Sequence, residues 1–445
     1  MSILSNNMKY FIFLISFLFI ASCNNITDKS FTDKSQATNY SSIGGREGKW
    51  CNLIDSVGNE TTDTKAPYYL LSIYKFGELY GIGNEFYRNG KLYATIPYND
   101  GMKNGITKLF YPNGKLMRLF TYIDDKENGI EKKYYESGKI FAELPYTNDE
   151  LNGTVKNYYE NGQLKHEIPY DHDIKNGIGK DYYQNGKIQT EDIWSNNQRN
   201  GVQKTFFENG QLKDSLDFVY DKENGVDKGY YEDGKLQIVA PYIFGKLNGI
   251  VKEYYENGKL KSEPSFAEGV EIGIQKDYYE NGKLKDEMPL SDGKKNGVEK
   301  DYFESGKLKS QYYYTNGNRN GIDNDYYENG QLKDVIPFID DKANGLVKKY
   351  YTNGKLQDEI PMSDGKENGI EKQYYENGQL KSEVIYSKGK VNGTEKSYYE
   401  NGQLKAIAII NDTNIIGMLK KYFENGKLKN ERSYLNGKQN GVEKD

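Results

Sequence analysis

The sequence predicts an all-β fold, an elongated antiparallel single-layer meander of stacked 24-residue β-hairpin repeats. Three observations predict it. Glycines recur in steps of 24 in two registers, Gly90 to Gly426 and Gly81 to Gly441, without one insertion or deletion. Asn-Gly recurs between short runs rich in Tyr, Phe, Leu and Ile, the strongest local hairpin signal. The glycines, aromatic doublets and alternation are all poor in a helix. A fixed period of this length marks a stacked array, in which each repeat buries surface only against its neighbours.

The N-terminal 22 residues read as an export signal. Met8-Lys9 supplies a short positive region and Tyr10 to Ile20 an apolar core of eleven residues, too short for a bilayer span of about 20. Ile20-Ala21-Ser22-Cys23 resembles the lipobox of a bacterial lipoprotein signal. The resemblance implies lipidation at Cys23, hence a membrane anchor, export and residence in the cell envelope or at the cell surface. Asn24 follows the cysteine where an aspartate would indicate retention at the inner membrane. Residues 23–66 are rich in Ser, Thr, Asn, Asp and Lys, a composition that offsets little chain entropy, so a flexible tether is expected. Within it Cys51 reads as a small, partly buried residue. Residues 67–80 are expected to cap the first repeat, with Ala66 to Tyr74 as a lone second strand.

Residues 81–445 form fifteen repeats, the last one partial. In the repeat from Gly153, a two-residue type I′ turn at Asn161-Gly162 would set Tyr159 opposite Leu164, Lys156 opposite Glu167 and Tyr170 opposite Gly153. Alternation then collects Tyr159, Leu164, Ile168 and Tyr170 on one face, and Thr154, Lys156, Tyr158, Lys165, Glu167 and Pro169 on the other. An aromatic ring covering the cross-strand glycine explains why both recur. Links such as Asp292-Gly293-Lys294-Lys295 carry turn chemistry into the next repeat. Thirty strands at about 4.8 Å would span roughly 140 Å if flat, and twist makes this a ribbon.

Repetition stacks equivalent side chains into ladders. Tyr135, Tyr159, Tyr183, Tyr231, Tyr255, Tyr279, Tyr327, Tyr351, Tyr375 and Tyr399 form the candidate binding ladder, since tyrosine offers rigid amphipathic contact area. The alternative for the same rings is purely structural, because a single-layer sheet has no other core. Lysines such as Lys132 and Lys156 face glutamates such as Glu143 and Glu167 as surface pairs worth under about 1 kcal/mol each.

Little in the chain points to chemistry. The net charge of −5, with lysine and glutamate interspersed, leaves no basic footprint for nucleic acid. His166 and His172, with Asp171 and Asp173, occur together in one repeat only, so solvent-facing roles are expected rather than a metal site. Asp124-Asp125, Asp340-Asp341 and Glu127 fall in links and read as turn residues. No catalytic residue, cofactor or metal is expected.

At Tyr278-Tyr279-Glu280-Asn281-Gly282-Lys283-Leu284-Lys285 and Tyr398-Tyr399-Glu400-Asn401-Gly402-Gln403-Leu404-Lys405 the chain resembles the bacterial variant of the MORN repeat. The likeness runs from about 68 to 445 and departs at Ile272 and Ile416, where the closing Asn is lost, and at Thr352; local loosening is expected there. The chain is also similar to repeat proteins labelled YwqK-type antitoxins. The resemblance implies an elongated β-sheet with an aromatic groove, used for protein association or for lipid contact. The function expected is a non-enzymatic, lipid-anchored envelope scaffold binding a protein or glycan, with self-association through sheet edges as a further partnership. The alternative is an antitoxin or immunity-type protein that sequesters a toxin.

Overall fold

The computed structural model describes residues 30–412, 414–435 and 437–441. The export signal, Cys23 and the first residues of the expected tether lie outside the described residues. Two compact units, Met1–Gln211 and Leu212–Asp445, divide the chain. Each is an antiparallel meander, all-β as expected, and the described residues contain no α-helix. No described helix is long and apolar enough to cross a membrane.

In the first unit the repeat from Gly153 shows the construction. Strand Gly153–Tyr158 pairs with Leu164–Asp171, a turn leads to the short strand Ile174–Lys175, and Gly177–Tyr182 opens the next repeat. The expected pairs Lys156↔Glu167 and Gly153↔Tyr170 are present. The hairpin tip is not the one expected. Gly162 N–H donates to the Tyr159 carbonyl and Tyr159 N–H to Gln163, both at 2.8 Å, enclosing a three-residue loop. Gly162 takes φ +92° while Asn161 keeps a negative φ, the pattern of a hairpin loop ending in a glycine bulge. Asn161 fits because its Oδ1 accepts Gln163 N–H at 2.9 Å, an Asx turn that needs no positive φ.

That loop is one residue longer than expected, and a second irregularity restores the register. Tyr158 pairs with Leu164 but Asn157 pairs with His166, so Lys165 is the extra residue of a bulge. Leu164 therefore shares a face with Tyr158, Lys156 and Glu167, a correction to the sequence-derived face. The two shifts cancel beyond the bulge.

Type I′ geometry appears instead in the links. His172 and Asp173 both have positive φ, +49° and +64°, as do Asp124 and Asp125, Asn148 and Asp149, and Asn196 and Asn197. The second residue of the turn also ties back to the previous link: Asp173 Oδ1 accepts Leu151 N–H at 2.8 Å, and Asp173 N–H donates to the Leu151 carbonyl at 2.9 Å. The aspartate pairs are thus turn-formers with a bond of their own. The closing glycine has another cause than a covering ring. Gly177 takes φ +120°, and a Cβ there would lie 2.8 Å from Pro169 Cγ in the preceding strand, so the close approach is made by proline.

Alternation leaves the two faces of each unit unequal. In the first unit Phe120, Ala142 and Ile168 are buried on one face, and in the second Phe218, Ala240, Val251 and Val347 are buried likewise. This covered face gains its burial from neighbours along the ladder. The open face carries the Lys/Glu rows together with Ile106, Ile130, Ile178, Ile250, Ile274 and Ile322, each just over half exposed at 52–55%.

The N-terminal segment corrects the expected tether of 23–66 and the expected cap of 67–80. Gly45–Ile54 is a strand paired from Gly48 to Ile54 with Tyr68–Lys75, so the latter is not a lone strand, and residues 78–80 already belong to Glu78–Tyr87. Tyr40–Ser42 and Glu60–Thr61 line the far side of Gly45–Ile54. Phe31 anchors the arrangement, packed with Leu71, Ile73 and Phe86, while its carbonyl accepts the buried Asn84 Nδ2 at 2.9 Å. A few well-placed groups order a polar stretch: one aromatic, and the Arg46–Glu60–Tyr74 network, in which Arg46 donates to Glu60 at 2.8 Å and to Tyr74 at 2.9 Å. Cys51 lies half-buried between them, and burial raises its thiol pKa.

At Ile272 and Ile416, where loosening was expected, the link and first strand instead run on as single strands, Val270–Tyr278 and Asn414–Tyr422. The same continuous strand occurs at Lys390–Tyr398, which keeps the closing Asn392, so loss of the asparagine is not what joins the two.

Candidate binding face

The repeated residues have structural duties. All ten tyrosines of the candidate ladder donate their hydroxyls to a backbone carbonyl 23 residues on, at 2.6–2.8 Å. Tyr159 bonds the Tyr182 carbonyl, and Tyr255 that of Tyr278. The first tyrosine of the doublet acts on the open face: Tyr158 donates to Glu143 at 2.8 Å and Tyr182 to Glu167 at 2.7 Å. Burial, with these carboxylates, pushes Tyr158 up to about 12 and raises Tyr182 likewise. Turn asparagines and lysines reach the next turn as well, Asn377 to the Glu400 carbonyl at 3.1 Å and Lys187 to that of Asn209 at 2.7 Å. The Lys/Glu rows form loose exposed pairs such as Lys132–Glu143 at 3.3 Å. Repeat-to-repeat bonding thus accounts for why these residue types recur.

Residues that vary from repeat to repeat fall mainly on the covered face. The position two after the closing glycine runs Gly83, Thr107, Glu131, Val155, Gly179 and Gln203 in the first unit, and Asp227, Val251, Gln275, Glu299, Asp323, Val347, Glu371, Glu395 and Leu419 in the second. The bonds made there differ from repeat to repeat. In the first unit Glu131, 1% exposed, receives Arg118 Nε on one oxygen, and Lys133 Nζ lies 3.5 Å from the other. A buried carboxylate placed this way needs such partners, since burying an uncompensated charge is costly. Gln203 donates to Asp192 at 2.6 Å, and burial raises that aspartate. Lys175 stands over the Trp194 ring at 4.4 Å.

His166 lies on this face and pairs with Asp181, whereas His172 sits in the link turn 2.7 Å from Asp171, whose hydrogen bond raises its pKa. The two histidines thus have separate partners. No group of three or more His, Cys, Asp or Glu placed to hold a metal occurs among the described residues.

In the second unit the covered face is acidic. Asp227 is pushed up to about 7 by burial and by the adjoining Asp214 carboxyl. Asp286 is pushed up to about 6 by burial and the charge of Asp277, its cross-strand partner. Asp323 accepts Tyr313 N–H at 2.9 Å and has Arg319 Nε at 3.6 Å. A cleft of about 460 Å³ opens nearby, lined by Ala240, Val251, Ser262 and Pro264 among others. Ala240 and Pro264 replace larger residues such as Met288 and Ile336 of other repeats, so the hollow is the volume those side chains would fill.

Sequence reasoning missed both the covered-face assignment and the isoleucine column. The column was visible as Gly-Ile recurring at 24, but its exposure depends on the open face having no second layer.

No curated protein matches the chain. Among solved structures, the chain is similar to one described as a crystal structure of TcdB2-TccC3-TEV, with 13% identity and a TM-score of 0.14, over 88% of this chain and 24% of that one. One described as TcdB2-TccC3-Cdc42 matches with 10% identity and a TM-score of 0.13, over 87% and 29%. The chain thus spans about a quarter of the length of these solved chains. Fourteen stretches, from 79–100 through 295–317 and from 343–364 through 416–436, match the model described as MORN repeat variant. The skipped stretch, 318–342, folds like its neighbours, with Gly321–Tyr326 paired to Leu332–Ile339. The matched stretches make up more than half of the sequence and follow the hairpins seen in the structure, and the chain belongs to the MORN repeat variant family.

Proposed function

We propose that this protein is a non-enzymatic scaffold, exported and lipid-anchored at Cys23, that binds a protein or glycan ligand in the cell envelope through its covered face. One observation carries the binding role. The repeated residues are occupied in joining repeat to repeat, while the variable ones line one half-buried face with aromatic, charged and small side chains. Repetition supplies the frame and variation the specificity, as in other arrays that bind along an extended surface. The tyrosine hydroxyls belong to the frame in this account, and the rings contribute only their exposed edges.

The test is site-specific photo-crosslinking in the native envelope. A benzophenone residue replaces Leu144 or Ile336 on the covered face, and Lys156 or Lys300 on the open face. Adducts formed from the first pair and absent from the second support the assignment; the reverse result overturns it. Palmitate labelling of wild type and Cys23→Ala checks the anchor. An unlabelled, cytoplasmic wild type removes the envelope role and favours the antitoxin alternative.

A further inference from the structure

The cleft in the second unit has a more definite occupant. Its floor is apolar and buried, with Ala240 at 3% and Val251 at 5% exposure, and Pro264 beside them. Pro264 stands one position earlier than the proline of repeats such as Glu287-Met288-Pro289. There it interrupts the strand between Leu260–Ser262 and Ser265–Ala267, because it has no N–H to give to the ladder. The neighbouring ladder contacts persist, with Val251 N–H on the Pro264 carbonyl at 2.9 Å and Glu263 N–H on that of Lys276 at 2.8 Å, at the register of Val155↔Ile168 and Glu167↔Lys180 in an ordinary repeat. The hollow is therefore supported by hydrogen bonds along both sides.

Beside that floor runs a polar row. Glu253 pairs with Ser262, Ser262 with Asp277, and Asp277 with Asp286. At about 4.8 Å per strand, the first two carboxylates stand roughly 10 Å apart with only a small hydroxyl between them. Lys261 reaches Glu253 at 3.2 Å, and Lys285 also lines the cleft. With Glu271, three carboxylates line the cleft against two lysines, so negative charge remains in excess. Asp277 and Asp286 oppose each other directly, and like charges so placed are unfavourable until a cation joins them. Burial first, and then the charge of Asp277, hold Asp286 at about 6 against the lowering effect of Lys285.

We propose that this cleft receives one lysine or arginine side chain of a protein ligand. Its methylene stem lies over Val251 and Pro264, and its cationic head sits above Ser262 between Glu253 and Asp277. A flexible apolar stem ending in a cation matches a floor that is dry at one side and anionic at the other. This inference rests on the covered face being the binding face, and it narrows the ligand from protein or glycan to protein.

Titration of the full-length chain with N-acetyl-arginine amide, N-acetyl-lysine amide and the uncharged N-acetyl-norleucine amide, read by saturation-transfer NMR, tests it. The two basic probes are expected to bind at least about tenfold more tightly than the norleucine probe, the scale of one hydrogen bond to a charged group. Asp277→Asn is expected to remove most of that preference. Ala240→Phe, which fills the hollow, is expected to abolish binding of all three, with Ser262→Phe as a second filling variant if the first unfolds by circular dichroism. Equal binding of norleucine, unaltered binding by the variants, or replacement of the basic probes by a neutral oligosaccharide overturns the assignment. Covered-face crosslinks to a protein in a chain that ignores the basic probes would sink the cleft assignment alone. Crosslinks confined to the open face would sink the binding face beneath it.

Discussion

Tyr159 commits its hydroxyl to the Tyr182 carbonyl one repeat away, at 2.7 Å. Tyr159→Phe deletes that bond while leaving the ring, and is expected to cost about 0.5–1.5 kcal/mol, measured by urea denaturation. Phe207 occupies the same position naturally, so the fold survives the loss. A second residue-scale effect concerns pH. Burial holds the Glu85 carboxyl at about 7, and Asp227 and Asp286 stand at about 7 and about 6, against about 4 in an unfolded chain. Folded pKa values above unfolded ones mean that the native state keeps protons the unfolded state releases. The resulting stability is fully present below about pH 4 and lost as pH rises through 6 to 7. The denaturation midpoint is therefore expected to be higher at pH 5 than at pH 8, and Asp227→Asn should flatten the difference. None of this was legible in the sequence, since burial of Glu85 or Asp227 follows from the face each occupies.

Element-scale behaviour turns on the two kinds of turn. Asp173 holds φ +64° in a link and accepts Leu151 N–H at 2.8 Å. Asp173→Asn should change stability by less than about 0.5 kcal/mol, because Asn197 makes the same bond to Lys175 in the next link. Asp173→Val should cost roughly 1–3 kcal/mol, since a β-branched residue resists that φ and offers no acceptor; thermal melts of the two variants check the contrast. The strands differ by face in the same way. Ile168, 6% exposed, should cost about 2–5 kcal/mol on truncation to alanine. Ile178→Thr, at a position 54% exposed, should be near neutral, as Thr154 already occupies that column. Strand order and outer register were legible because Asn-Gly and the two glycine registers bracket each hairpin. The tip was misread because Asn-Gly serves both the two-residue turn and the glycine-bulge loop, and the bulge at Lys165 hides the difference from the outer pairs.

At the scale of the whole molecule, a repeat is exchangeable in a way that a strand is not. Deleting residues 345–368 joins Asn344 to Gly369 and preserves both glycine registers. The shortened chain is expected to remain all-β by circular dichroism and to unfold with a denaturant dependence reduced in proportion to the surface removed. Deleting twelve residues from the same point would put turn sequence opposite strand, and loss of cooperative unfolding is expected. The N-terminal segment is exempt from this rule. Phe31 binds it to Leu71, Ile73 and Phe86 as a conventional small core, so Phe31→Ala should destabilise by roughly 3–5 kcal/mol, read as early loss of the first unit's near-ultraviolet signal.

By itself the sequence determined the period, the hairpin meander and the pairing of Lys156 with Glu167, because those follow from local turn chemistry repeated at fixed spacing. Only the tertiary structure decided which face is covered, where Ala240 and Pro264 leave a hollow, and that residues near Phe31 join the sheet. Each of these depends on which side chains meet across strands 24 or more residues apart. A one-residue shift at a turn reverses that facing without altering composition or period.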